Sequence, residues 1–181
     1  MFPIWPVVRP KDLLEACTEC ESILPRRYCL LLALSAATSI QLKLASNHLL
    51  ADLSDESLGE VVAPYTTDYF LNEAIKARNA LNIAETPDVD TLLTSCFLFS
   101  AYANLGRSNE AWFYLSQTVS FVIALQLNDE TIYSILVPEE AEMKCRIFWM
   151  VFILERFDEC PTACNICLPL IEHTAFITND Q

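Results

Sequence analysis

The stretch WFYLSQTVSFVIALQL, Trp112–Leu127, holds no charged residue. A second stretch, EMKCRIFWMVFILER, Glu142–Arg156, keeps its charges at its two ends. Buried strands are typically about 4–8 residues long, so nearly all-apolar patterns of this length predict helices. Within the second, Ile147–Leu154 (IFWMVFIL) is apolar on every side, which predicts a helix buried all round, by this chain or by something else. Ser108 can cap the first helix, Glu110 stands in its opening turn, and Asn128-Asp129 ends it near Leu127. Pro138 starts the second. Glu139, Glu140 and Glu142 lie in its opening turns and Arg156 near its close, a charge order that suits the helix dipole at both ends.

The same reading extends outward. Thr86-Pro87-Asp88 forms a cap and first turn for a helix over Val89–Leu105, closed by Gly106. Ala63–Leu81 predicts an amphipathic helix with Tyr69, Phe70, Ala74, Ala77 and Leu81 on its inner side. Pro25 opens a longer helix reaching about Asn47 or Leu50. Its Leu30, Leu31, Leu34, Ala37, Ile40, Leu42 and Leu44 cover more than one face, the pattern of a central helix. Ala51–Glu60 reads as a loop and Pro10–Ser22 as a short helix. In MFPIWPVVRP the residues Pro3, Pro6 and Pro10 each remove a backbone donor, so an extended apolar arm is expected there. The fold expected is all-α, a bundle-like array of about six helices.

Composition narrows the function classes. The chain has 181 residues, 53% of them hydrophobic and 19% charged, enough to bury a core and too apolar for disorder. Only two glycines occur, Gly59 and Gly106, which argues against phosphate-cradling loops and doubly wound sheets. The formal net charge is −13 and the eleven basic residues are scattered, with Arg26-Arg27 the densest pair. Such a chain is repelled by nucleic acid, whose recognition needs clustered Lys and Arg. Cys29–Ile40 is too short to span a bilayer, and the N-terminus lacks a signal-peptide pattern. An intracellular setting with eight mainly reduced cysteines is the expectation.

No constellation announces catalysis. Cys160, Cys164 and Cys167 have the spacing of an iron–sulfur cluster loop, without the glycine-containing barrel that such a loop needs. Adding His173 gives a Cys3His set, without the paired knuckles of a zinc site. Cys17 and Cys20 have redox spacing with no preceding strand. His48 suits a helix C-terminus, and no Gly-x-Ser-x-Gly elbow exists for either histidine to serve. The pairs Asp88/Asp90, Asp129/Glu130 and Glu139/Glu140 lie at helix starts or loops, where dipole complementation explains them. Glu142 stands four residues before Arg146 and can pair with it, while Glu155 and Arg156 need hydrogen bonds or a route to water. The reading is of a non-enzyme.

In order along the chain come Ile4-Trp5-Pro6-Val7-Val8 and Leu32–Leu44. Then follow Thr91–Leu105, Gly106-Arg107 with Ala111-Trp112, Ala124–Leu127, and Arg146-x-Phe148-Trp149 with Glu155-Arg156. This series resembles the regulatory domain of fungal zinc-cluster transcription factors, over most of residues 1–157, with 158–181 an atypical loop-like tail. The resemblance implies a nuclear, helical regulatory domain that gates activation and senses metabolites. It also implies partners in the transcription machinery or a homologous regulator, and no membrane. Trp5, Gly106, Arg107, Ala111, Trp112, Arg146, Phe148, Trp149, Glu155 and Arg156 become family-motif positions with structural roles. DNA binding and zinc would be supplied by a six-cysteine cluster lying N-terminal to this domain in full-length relatives, so no cofactor is expected here. The eight cysteines lack that cluster's spacing, and the family's helices after Glu-Arg are missing, so the chain reads as truncated at both ends. The alternative is a tetratricopeptide-like scaffold for protein contacts, suggested by Ala103–Leu115, although no fixed period repeats it.

Overall fold

A computed structural model describes residues 7–18, 23–52, 67–82 and 87–157. They form seven helices and no strand: α1 (Pro10–Thr18), α2 (Pro25–Asp52), α3 (Thr67–Asn79), α4 (Val89–Asn104), α5 (Ser108–Ala124), α6 (Glu130–Tyr133) and α7 (Pro138–Phe157). The seventh helix relative to the sequence expectation is α6, whose four residues are too few to show a period. Outside the described residues lie the arm up to Pro6, the loop from Leu53, and the tail with Cys160, Cys164, Cys167 and His173. Cys20 lies outside them too, and nothing is described of the Cys17 and His48 side chains.

The chain divides into two units, Val8–Phe121 and Val122–Gln181 with Met1–Val7. In the first, α2 packs against both α3 and α4. On α2, Leu30, Ala33, Ala36, Ala37 and Ile40 are buried, and the small residues among them let a neighbouring backbone approach closely. Leu31 and Leu34 are half-buried and Leu42 is exposed, so α2 has one dominant inner face rather than several. The innermost helix is α4, where every residue from Thr91 to Phe99 is buried. Two of its hydroxyls reach back along the helix: Thr94 Oγ1 donates to the Asp90 carbonyl at 2.7 Å, and Ser95 Oγ lies 3.2 Å from that of Thr91.

Both ends of α4 are closed by local chemistry. Asp88 and Thr91 form a reciprocal capping box, with the Thr91 N–H donating to Asp88 Oδ1 at 2.8 Å and the Asp88 N–H to Thr91 Oγ1 at 3.0 Å. At the other end Gly106, at φ +70°, donates to the Ala103 carbonyl, and the Arg107 N–H reaches that of Tyr102. That is the Schellman pattern, and the glycine takes the left-handed position at no steric cost. Two ion pairs then set the start of α4 beside the start of α2: Arg26 Nη1 to Asp88 Oδ2 (2.7 Å) and Arg27 Nε to Asp90 Oδ2 (3.0 Å).

The helix starting at Ser108 ends at Ala124, earlier than the expected Leu127. Gln126 adopts φ 55°, the Gln126 N–H donates to the Ile123 carbonyl, and the Leu127 N–H reaches that of Val122. This is a second Schellman end, with a glutamine in the position glycine prefers. The buried Leu127 and Val122 flank the turn. In the Val122–Gln181 unit, Tyr133 Oη then donates to the Leu127 carbonyl, and Asp129 Oδ1 caps α6 through the Thr131 N–H at 2.9 Å.

Part of the apolar surface of α7 is left open by this chain. Ile147, Phe148 and Val151 are buried, but Trp149 is 42% exposed, and Met150, Phe152, Ile153 and Leu154 are only half-buried. An apolar residue on every side does not by itself supply neighbours on every side. The inner face of α3 is rotated from expectation. Leu71, Ala74 and Arg78 face inward, while Tyr69 is 46% exposed and Phe70, Ala77 and Leu81 are half-buried.

Burial alone would push the Asp88 carboxyl up, but the donors of Arg26 and Thr91 outweigh it and hold its pKa below the ordinary 3.8. A depressed carboxylate stabilises the fold fully above its unfolded value and loses that contribution as pH falls through the folded one. Asp88→Asn keeps a capping oxygen but gives up the charge pairing. Because the pair is partly exposed, the variant should be less stable at neutral pH by only about 0.5–1 kcal/mol. The gap between the two proteins should close as pH drops below 3.8. Urea unfolding across an acid series measures it.

Candidate functional site

One charged residue is buried among the described residues, Arg78 near the end of α3. It stands at the 71, 74, 78 spacing that puts side chains on one helix face, with Leu71 3% and Ala74 0% exposed, so the chain places a guanidinium where a core residue belongs. Its partners all lie in the Val8–Phe121 unit and all are neutral. Nη2 donates to Gln117 Oε1 on α5, and the guanidinium carbon sits 5.4 Å from the centre of the Tyr114 ring. Gln117 Oε1 also accepts from Ser95 Oγ of α4 at 2.9 Å, so one amide oxygen joins three helices. Nε of Arg78 is buried and has no hydrogen-bond partner among the described residues.

The electrostatics follow from that arrangement. Burial lowers the Arg78 pKa from its usual value, with the nearby Tyr114 and Cys29 opposing the shift. A guanidinium is nevertheless protonated at any physiological pH. Burial pushes the Cys29 thiol up and Arg78 draws it back only in part, so Cys29 is a neutral thiol. Cys96, also buried, is pushed up to about 12 and is inert. Taking a cation out of water costs several kcal/mol, ordinarily offset by a carboxylate partner. Elsewhere this acidic chain supplies such partners freely: Lys76 has Glu73, Lys144 has Glu140, Arg107 has Glu110 and Arg146 has Glu142. Arg78 has none among the described residues.

An aromatic ladder continues outward from this point. Tyr114 stacks on Tyr102 of α4, with ring centres 5.5 Å apart and planes 5° from parallel. Arg107 lies over the far ring, 4.8 Å from the Tyr102 centre. Two cations therefore bracket two stacked phenols, each cation meeting the negative face of a ring.

The residues singled out from the sequence fall in both units. Trp5 is outside the described residues. Gly106 closes α4. Arg107 is exposed at the start of α5, Ala111 is buried there, and Trp112 is half-buried. On α7, Arg146 bonds to Glu142 as the four-residue spacing predicts. Phe148 is buried, Trp149 exposed, Glu155 half-buried, and Arg156 exposed over the Phe152 ring at 5.3 Å. The sequence reading missed Arg78, Ser95, Tyr114 and Gln117. The available signal was an arginine in register with Leu71 and Ala74, hidden when the helix face was centred on Tyr69 and Phe70. Among the described residues no three His, Cys, Asp or Glu side chains come together to hold a metal ion, and no helix is long and apolar enough to cross a membrane.

Comparison with known proteins now gives the site a setting. The family described as "Fungal specific transcription factor domain" matches residues 11–159. A "Probable sucrose utilization protein SUC1" of Candida albicans (strain SC5314 / ATCC MYA-2876) is 31% identical over 158 residues, covering 86% of this chain. The chain spans only 29% of that relative's length. No solved structure matches.

The neutral surroundings of Arg78 have a measurable consequence. Gln117→Leu removes its hydrogen-bond acceptor while leaving the charge in place, and should destabilise the protein by about 1.5–3 kcal/mol. Arg78→Met removes charge and need together and should be close to neutral or stabilising. In the Arg78→Met background the Gln117→Leu cost should shrink by half or more. Urea unfolding of the four proteins reads the coupling.

Proposed function

The chain belongs to the fungal specific transcription factor domain family, and from that premise we propose that it is a regulatory domain working in the nucleus through contacts with other proteins. A role in regulating transcription is what the family supplies. The finer assignment is that this domain gates activation, without enzymatic chemistry, while a separate zinc-cluster segment contacts DNA. The observation that carries it is the family match across 11–159 in a chain whose formal net charge is −13. The field of such a chain opposes approach to phosphates, so its share of the work falls on proteins and effectors. The relative's printed name, a sucrose utilization protein, supports a place in the control of carbon-source genes.

The test joins the whole chain to an unrelated sequence-specific DNA-binding module and reads a reporter gene carrying that module's site. The fusion should shift reporter output away from that of the module alone, while the unfused chain should show no binding to duplex DNA at physiological salt. A fusion indistinguishable from the module, or DNA binding by the chain itself, contradicts the assignment.

A further inference from the structure

We propose that the buried Arg78 is the anchor of a binding site for a small oxyanion, a carboxylate- or phosphate-bearing metabolite, in the Val8–Phe121 unit. Three observations combine. Arg78 is the one buried charge among the described residues, and no carboxylate there pairs with it. Its guanidinium is already oriented by the Gln117 amide oxygen and the Tyr114 ring, which hold it without neutralising it. Its Nε–H is buried and unpartnered. After Gln117 takes one Nη2 hydrogen, the guanidinium retains Nε–H and further N–H donors that an oxyanion can accept from. A bound oxyanion would satisfy the orphaned Nε–H and supply the missing negative charge in one step. Neutral ligands satisfy the donor but leave the charge.

Such a ligand has a mechanical consequence. Gln117 Oε1 is shared between Arg78 of α3 and Ser95 of α4, so filling the guanidinium edge bears on how α3, α4 and α5 hold together. An effector stabilises the arrangement it binds and shifts the population toward it. The role as effector site rests on the regulatory reading above; the binding itself does not, and it can be tested without any transcriptional readout.

The experiment uses the full chain and titrates inorganic phosphate, and separately acetate, at constant ionic strength set with chloride, following melting temperature and two-dimensional NMR. Sucrose forms a third, neutral arm. Saturable stabilisation by phosphate or by acetate is expected, and which of the two binds more tightly identifies the ligand class. Arg78→Met should weaken the binding about 10- to 100-fold, and Arg78→Lys, which keeps the charge but loses the planar fork, should weaken it too. Arg146→Gln, which alters an arginine of α7 outside the Val8–Phe121 unit, should leave it unchanged. If the Arg78 variants fail to fold, the wild-type arginine Nε–H resonances decide: one buried, slowly exchanging signal should move with saturation. No saturable response to either anion, an equal response in Arg78→Met, or saturation by sucrose alone overturns the proposal. A failed titration leaves the reporter result standing, and a silent reporter leaves the titration standing.

Discussion

Burial of α4 on every side is the constraint from which the Val8–Phe121 unit follows. Nine successive residues, Thr91–Phe99, are buried, so the polar groups they carry must largely be answered inside the protein. The helix meets this with hydroxyls bonded back to its own carbonyls, a capping box at one end and a glycine turn at the other. Its two acidic residues, Asp88 and Asp90, stand at the N-terminal end, where the dipole favours them and where Arg26 and Arg27 of α2 can reach them. With its ends fixed and its sides apolar, α4 becomes the post on which the other helices of the unit are arranged.

One group departs from that economy. Ser95 of α4 extends its hydroxyl to Gln117, and Gln117 in turn holds Arg78. The result is a cation inside an otherwise apolar core, steadied by an amide and a ring but not neutralised. A fold built only for stability would place an aliphatic side chain at residue 78, since that swap relieves the charge at little cost in packing. Violations of packing logic concentrate where a protein does something besides fold. Among the described residues that charge has no carboxylate beside it.

Much of this architecture was legible in the residues. Pro25, Pro138 and Ser108 mark helix starts, Gly106 marks an end, and the Asp88 cap is found where Thr86-Pro87-Asp88 predicts it. These are signals of local backbone chemistry, and they need no tertiary information. Orientation was harder. Ile147–Leu154 has no polar side, so its pattern cannot say which face is covered, and Trp149 emerges at 42% exposure. On α3 the aromatic residues Tyr69 and Phe70 drew the inner face toward themselves, whereas packing turned inward the smaller Leu71 and Ala74 and with them Arg78. Gln126 shows a third gap: nothing in its identity announces a positive φ, since glutamine gains no advantage there. The Arg78 site escaped for a related reason, being assembled from α3, α4 and α5 by side chains far apart in sequence.

Amide hydrogen exchange along the whole chain tests the placement of α4 most directly. Within the Val8–Phe121 unit, amides of Thr91–Phe99 should exchange slowest, with those of α1, which carries the exposed Leu14, markedly faster. If Thr91–Phe99 exchanged as early as α1, α4 would not be the central post of the unit, and the setting assigned to Arg78 would fall with it.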